Sequence, residues 1–380
     1  MTVDWTAVLL AAPASLPLVF TAINIATWTR GEAVGARDAK LSVLVPARNE
    51  EASIERLIRS IYRSSQPVLE VVVYDDQSTD GTPAILKRLQ GEFGSLRVVR
   101  GNGLPEGWVG KPHACHRLAG AAKGDVFLFV DADVELEPHG LSRLLSLLAR
   151  AAVVTAVPQQ VTETWSERVM LPLLLLTYTS WLPLALVGVS RDPRVVAANG
   201  QLMMIRRSDY VDLDGFAAVR HEIVDDVAFC RHAKLRGKRV VFADGARMAR
   251  CRMYTSLDEI WSGFSKNLYE GIGGSLVALL VVVALYLTAF VLPYVALVAG
   301  AATGEASWLI GGGIGVALNL ATRVALAVRY RHSFGSVLAH PVAVLGLLAI
   351  ALNSYRWSAK GKLQWAGRVY GSRNKRLGAA

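Results

Sequence analysis

The chain places carboxylates where apolar runs stop. Val126-Phe-Leu-Phe-Val130 leads straight into Asp131-Ala-Asp133, two carboxylates one residue apart with no Lys or Arg between them. A short unbroken apolar run reads as a strand buried on both faces, and ligands of open α/β sheets collect at such strand ends. Two carboxylates there repel each other and lose hydration, a cost that a hard divalent cation removes, so Asp131 and Asp133 are candidate metal ligands. The competing reading is ordinary turn chemistry with a helix cap. Two further apolar runs end in the same way, at Pro46-Ala-Arg-Asn-Glu50 and at Asp75-Asp76-Gln77-Ser78-Thr79-Asp80-Gly81-Thr82. One Asp at a strand end is easily a cap, whereas acids at three successive ends are hard to explain as caps.

These loops need elements to hold them. Residues 41 to 133 read as a β-α-β series. Leu41–Val45 is a strand that Pro46 breaks, and Glu50–Ser60 a helix. Val68–Tyr74 is a second strand, Thr82–Gln90 a helix, and Leu96–Arg100 a third strand. Gly107-Trp-Val-Gly-Lys111 then leads into a helix before the Val126 run. Strands alternating with helices at this spacing imply a Rossmann-like, mainly parallel sheet with its functional loops at the strand C-termini. No Gly-X-Gly-X-X-Gly follows the first strand and no Gly-X-X-X-X-Gly-Lys-Ser/Thr is present, so dinucleotide and P-loop readings lack a phosphate cradle.

Composition sets the wider frame. At 380 residues two structural units are expected, and 52% hydrophobic residues with a mean hydropathy of +0.34 point to a part of the chain in a bilayer. The net charge of +10 is read as membrane orientation, not as nucleic-acid binding. Cys115, Cys230 and Cys251 have no Cys-X-X-Cys spacing and read as free thiols of a reducing compartment.

Val-Pro-Ala-Arg-Asn-Glu, Asp-Asp-Gln-Ser-Thr-Asp-Gly-Thr, Gly-Lys and Asp-Ala-Asp, in that order, resemble the family 2 inverting glycosyltransferases of GT-A nucleotide-sugar-binding fold over roughly residues 41 to 270. The resemblance implies that Pro46, Glu50, Asp75 and Asp76 surround the nucleoside of a nucleotide diphosphate sugar, a UDP-sugar first of all. Asp131 then faces the diphosphate, and Asp133, with Asp131, holds Mg or Mn. Lys111 lines the donor pocket, unless it is a solvated loop charge. The family's base ends a Glu-Asp-type motif, for which His221-Glu-Ile-Val-Asp225-Asp226 offers Asp226. Asp225 stands where Glu is commoner and shares the candidacy. The other reading of this pair is a helix start favoured by the helix dipole. Similar enzymes place a Gly-Gln element under the acceptor, which implicates Asn199 and Gln201, with a solvent-facing turn as the alternative. The Gln-X-X-Arg-Trp motif of processive members is absent; Trp261 and Lys266 stand in its place as candidates for closing over donor or acceptor. The run from Arg252 through Trp261 to Asn267 looks more like the bacterial glycosyltransferases of carotenoid and hopanoid pathways, and in outline like ceramide glucosyltransferases.

The rest of the chain is organised around a membrane. Residues 1–30 read as an N-terminal transmembrane helix, with Arg30, Arg37, Lys40 and Arg48 after it placing residues 31–270 in the cytoplasm. Within that domain the uncharged stretch 169–189 reads as an interfacial insertion, because a single crossing would separate Asp133 from Asp226; a buried core helix is the alternative. It suggests a lipid-like acceptor. Residues 271–353 read as membrane segments, with Gly311-Gly-Gly-Ile-Gly315 a close-packing stretch and Val337–Asn353 re-entrant or interfacial. Residues 354–380 carry seven basic residues and no acid and read as a cytoplasmic tail. Its Trp365-Ala-Gly-Arg368 and Tyr370 resemble an element of the same families, or form an anionic-lipid anchor. The expected protein is a multi-pass plasma-membrane hexosyltransferase. A polysaccharide synthase, and a scaffold or transporter with a degenerate nucleotide-binding domain, are the alternatives.

Overall fold

Apolar residues alternate between two covered faces in the strands that carry the acidic loops. The computed structural model describes residues 3–34, 39–365 and 368–370; Arg37, Ala366, Gly367 and the tail beyond Tyr370 lie outside them. The eight strands are β1 Leu41–Ala47, β2 Glu70–Asp75, β3 Leu96–Arg100, β4 Val126–Val130, β5 Val134–Leu136, β6 Val153–Gln160, β7 Leu202–Arg206 and β8 Val240–Cys251. They form one sheet in the order β3-β2-β1-β4-β7-β6-β8-β5. Leu41, Val43, Val45, Val71, Val73, Leu128 and Val130 face one core, with Leu57 and Ile61 of helix Ile54–Tyr62, Leu89 of Thr82–Glu92 and Leu144 of Gly140–Leu148. Leu44, Val72, Tyr74, Phe127 and Phe129 face the other, with Leu118 of helix Gly110–Ala121 and Phe229 of Asp225–Leu235. Burial on both faces is why these strands read as unbroken apolar runs.

β3, β2, β1 and β4 are parallel, as expected; β7 runs antiparallel to both β4 and β6, β6 and β8 are parallel, and β5 is antiparallel to β8. The sheet is therefore mixed beyond β4. Pro46 does not break β1, contrary to the sequence reading: it pairs with Tyr74, and the strand continues to Ala47. Pairing of β1 with β4 ends at Leu44–Phe129, so from Val45 onward one side of β1 lies outside a ladder, where a residue without an N–H is tolerated. Beyond the sheet, the strand pair β9 Leu363–Trp365 and β10 Arg368–Tyr370 is antiparallel.

Contacts divide the chain into two units. One comprises Thr29–Val161, Ala185–Met253 and Gly361–Ala380 and contains the sheet; the other comprises Met1–Trp28, Thr162–Leu184 and Tyr254–Lys360 and is helical. Among the described residues four helices are long and apolar enough to cross a membrane: Trp5–Thr27, Leu276–Thr303, Ala306–Tyr330 and His340–Ala359. The last contains most of the stretch 337–353 read above as re-entrant or interfacial. Pro341 sits in the first turn, where its missing N–H is no loss, so one continuous helix of 20 residues starts there. Helix Ala306–Tyr330 presents the predicted glycines to its neighbours. A Cβ on Gly311 would lie 2.7 Å from the Ala7 carbonyl oxygen, and one on Gly315 2.7 Å from the Pro293 side chain. The stretch 169–189 is not one helix. Pro172–Trp181 ends before Pro183, and Asn24 binds the break, donating to the Thr179 and Leu182 carbonyls at 2.7 Å and accepting from the Leu184 N–H at 2.9 Å.

Candidate active site

The chain reverses direction across the sheet at β1: β2 and β3 extend on one side, β4 on the other. Open α/β sheets bind ligands in the crevice beyond such a switch point. Glu50 follows β1, Asp76 follows β2, and Asp131 and Asp133 follow β4.

The loops after β1 and β2 are laced together. Asn49 (φ 58°) and Gln77 (φ 60°) both adopt the left-handed backbone region that residues with a Cβ rarely occupy. Asn49 Oδ1 accepts from the Thr79 N–H at 2.8 Å, its own N–H donates to Ser78 Oγ at 3.0 Å, and the Glu50 N–H donates to Thr82 Oγ1 at 2.8 Å. Asp75 caps this turn, accepting from the Ser78 N–H at 3.0 Å. Asp76 is 1% exposed and forms a bidentate ion pair with Arg368 of β10. Pro46 lies within β1, in register with Tyr74.

Lys111 joins the remaining acids. It enters from the first turn of helix Gly110–Ala121, and its Nζ lies 2.7 Å from Asp131 Oδ1 and 3.4 Å from the Gly200 carbonyl oxygen. Gly200 also lies against Asp226, so the backbone of one residue stands beside both Lys111 and Asp226. A Cβ on Gly200 would lie 3.0 Å from Lys111 Nζ and 3.5 Å from Asp226 Oδ2, and glycine is what lets both groups approach. Asp225 and Asp226 open helix Asp225–Leu235, so the pair does stand at a helix N-terminus as well as in the cluster.

Crowding of carboxylates is visible in their proton affinity. Burial, reinforced by the charges of Asp131 and Glu50, pushes Asp133 up to about 7. Burial likewise lifts Glu50 to about 7, and Asp225 to about 7 against the pull of Lys111. Asp226 is raised by burial too. Lys111 is held protonated: burial works against its charge, and Asp131 and Asp225 outweigh it.

Asp133 Oδ1 is shielded from solvent and has no hydrogen-bond partner, and beside it stands a second carboxylate. That donor pair fits a divalent cation. Among the described residues no group of three or more His, Cys, Asp or Glu side chains is arranged to hold an ion alone, so other ligands would have to complete the shell.

Asn199 and Gln201 are buried and do not form a solvent-facing turn. The Asn199 N–H and carbonyl both bond Thr155 Oγ1, Asn199 Oδ1 accepts from the Gln201 N–H, and Gln201 bridges Gln160 and Cys251 at 3.2 and 2.8 Å. Their side chains hold the Gly200 peptide in place. Trp261 and Lys266 lie on helix Leu257–Gly271 in the helical unit, separate from the unit that contains the acidic cluster.

Sequence reasoning overlooked Cys251. Its thiol, pushed well up by burial and by the charge of nearby Asp133, accepts from Gln201 at 2.8 Å. Nothing in the local sequence signals this, because Cys251 reaches the site through the pairing of β8 with β5, where it faces Val134.

Comparisons with known proteins agree with this architecture. Residues 42–213 match the family described as Glycosyl transferase family 2. The chain is 24% identical over 338 residues to a 4,4'-diaponeurosporenoate glycosyltransferase of Staphylococcus aureus, covering 87% of this chain and 88% of the relative. It is 26% identical over 242 residues to the enzyme of that name from Staphylococcus haemolyticus, covering 62% and 63%. Its fold is similar to that of the mannosyltransferase PcManGT from Pyrobaculum calidifontis, solved in complex with GDP-Man and Mn2+. That match has a TM-score of 0.58 at 21% identity and covers 93% of this chain and 99% of the other. Residues 42–213 are therefore a glycosyl transferase family 2 domain of GT-A fold, and the protein is a glycosyltransferase.

Proposed function

We propose that the protein inverts configuration at the anomeric carbon as it transfers a hexose from a nucleotide diphosphate sugar, a UDP-sugar first of all, to a lipid-like acceptor at the cytoplasmic membrane face. What carries this reading is the position of Lys111, paired with Asp131, beside the backbone of Gly200, which in turn packs against Asp226; the strand-end carboxylates and the candidate base thus share one cluster. Asp226 takes the proton of the acceptor hydroxyl or carboxyl; the acceptor oxygen bonds the anomeric carbon as the bond to the diphosphate oxygen breaks on the opposite face. Mg or Mn, held by Asp133 and Asp131, would supply charge to neutralise the leaving diphosphate. Glu50, Asp75 and Asp76 line the nucleoside side, with Pro46 beneath them.

Two observations support the acceptor class. Four helices are suited to a bilayer, and two relatives are named for a carotenoid acid, so a polyene carboxylic acid, entering protonated, or another apolar lipid is the acceptor to try first. Asn199 and Gln201 act by fixing Gly200 beneath the acceptor, and Trp261 and Lys266 serve to close over donor or acceptor.

Membranes containing the full chain, incubated with labelled nucleotide sugars with and without chelator, test the proposal. Metal-dependent label in the organic extract, lost in Asp226→Asn and Asp133→Asn, is the expected result. Label in a water-soluble polymer, or transfer undiminished in both variants, overturns it.

A further inference from the structure

The helical unit buries a cation without an anion. Arg323 lies seven residues before the end of helix Ala306–Tyr330, and none of it is exposed. One guanidinium nitrogen lies 3.5 Å from the Pro172 carbonyl, another donates to Ser336 Oγ at 3.2 Å, and Nε has no partner. Arg323 makes no ion pair with any described carboxylate. Within its electrostatic reach stand His332, His340 and Tyr294. His332 is 6% exposed and His340 fully buried, and all four of their ring nitrogens, like the Tyr294 hydroxyl, have no hydrogen-bond partner.

Six unsatisfied polar atoms around one buried guanidinium do not arise from packing. Each carries a desolvation cost, and a buried charge without a counter-ion carries a larger one. Each neutral imidazole brings one N–H and one lone pair, so four of the six can donate at once, and what these donors and the guanidinium charge lack is an acceptor bearing negative charge. A phosphate offers several acceptor oxygens and matches the planar fork of arginine. Arg323 is about 10 Å along the axis from the Tyr330 end of the helix at 1.5 Å per residue, nearer to that end than the middle of a bilayer whose hydrocarbon core is about 30 Å thick. The connection that covers the cluster, 331–339, carries Phe334 and Leu338, 64% and 78% exposed, as an apolar surface facing outward.

We propose that Arg323, Ser336, His332, His340 and Tyr294 form a binding site for the phosphate of an anionic membrane lipid. Entry requires the 331–339 connection to shift, since the cluster is closed to solvent. This inference goes beyond the transfer reaction and rests only on the membrane placement of the helices. Insertion into a bilayer disc is a separate readout for that placement.

The full chain, stripped of lipid and returned to phosphatidylcholine discs with or without phosphatidylglycerol, provides the test. Retained lipid is read by native mass spectrometry and the unfolding midpoint by heating. Wild type should retain phosphatidylglycerol in preference to phosphatidylcholine and unfold at higher temperature with it. Arg323→Met should weaken that retention roughly thirtyfold or more. The double substitution His332→Leu with His340→Leu serves if Arg323→Met does not fold. No preference in wild type, or a preference retained in the variants, overturns the site. Protection by inorganic phosphate equal to that by phosphatidylglycerol assigns the cluster to a soluble anion and overturns the lipid.

Discussion

Lys111 grips both carboxylate oxygens of Asp131, at 2.7 Å and 2.8 Å from its Nζ. The ammonium thereby stands among Asp131, Asp225 and Asp226 and partly offsets their mutual repulsion. Removing it leaves like charges facing one another at short range. Lys111→Met should lower kcat/KM about tenfold to hundredfold while lowering the metal concentration needed for half-maximal rate, because the uncompensated carboxylates draw a divalent cation more strongly, with Lys111→Arg intermediate. Steady-state kinetics over a metal titration measure both.

Glu50 makes stability depend on pH in a definite direction. Its carboxyl is pushed up to about 7 from an ordinary 4.5, chiefly by burial. Between those values the unfolded chain has released the proton and the folded chain has kept it. The folded state then binds more protons, so this contribution is fully present below 4.5 and is lost as pH rises towards 7. In chelator without donor, Glu50→Gln should flatten this slope and stabilise the protein at about pH 8 by up to about 3 kcal/mol, with no gain at about pH 4. Urea unfolding at the two pH values decides it. Asp225 contributes a slope of the same sign, so a residual slope is expected in the variant.

Cys251 positions Asp133. Its thiol stands near that carboxylate and is itself fixed by Gln201, while Asp133 Oδ1 has no partner. Loss of such a supporting contact weakens metal binding by about tenfold to hundredfold. Cys251→Ala should raise the Mn concentration required for activity by this factor while maximal rate at saturating metal recovers, and Cys251→Ser should recover part of the affinity. Equal loss of rate at all metal concentrations would count against a positioning role.

Arg368 and Asp76 should behave as one unit. Asp76 is almost fully buried, and its carboxylate is held by both guanidinium nitrogens of Arg368, which also donates to Gln77 Oε1 at 3.1 Å. A buried carboxylate deprived of its partner is costly. Arg368→Ala and Asp76→Ala should each weaken nucleotide binding, and the double variant should be little worse than either. The resulting coupling should be about 1–3 kcal/mol by calorimetry. Additive effects would show that the pair acts independently.

Much of this was legible in the order of residues. Runs such as Leu41–Val45 and Val126–Val130 are apolar on both faces because helices cover both sides of the sheet, and acids at their ends mark the crevice. The glycine stretch 311–315 similarly revealed close helix packing from composition alone. Pro46 misled because a proline signals a strand end only where both sides of the strand are paired. Pro341 opens the helix His340–Ala359, because a proline starts a helix as readily as it interrupts one.

What sequence could not supply is which distant groups share one space. Asp131 and Asp226 are drawn together by Lys111 and by the backbone of Gly200, and a backbone contact leaves no side-chain signature to read. Cys251 reaches Asp133 through strand pairing, and Arg368 reaches Asp76 from nearly three hundred residues away. Local sequence determined the strands, the helices and the kinds of chemistry available, since these follow from periodicity and residue type. Tertiary structure alone decided the partnerships, because the burial and repulsion that raise Glu50, Asp133 and Asp225 depend on neighbours remote in the chain.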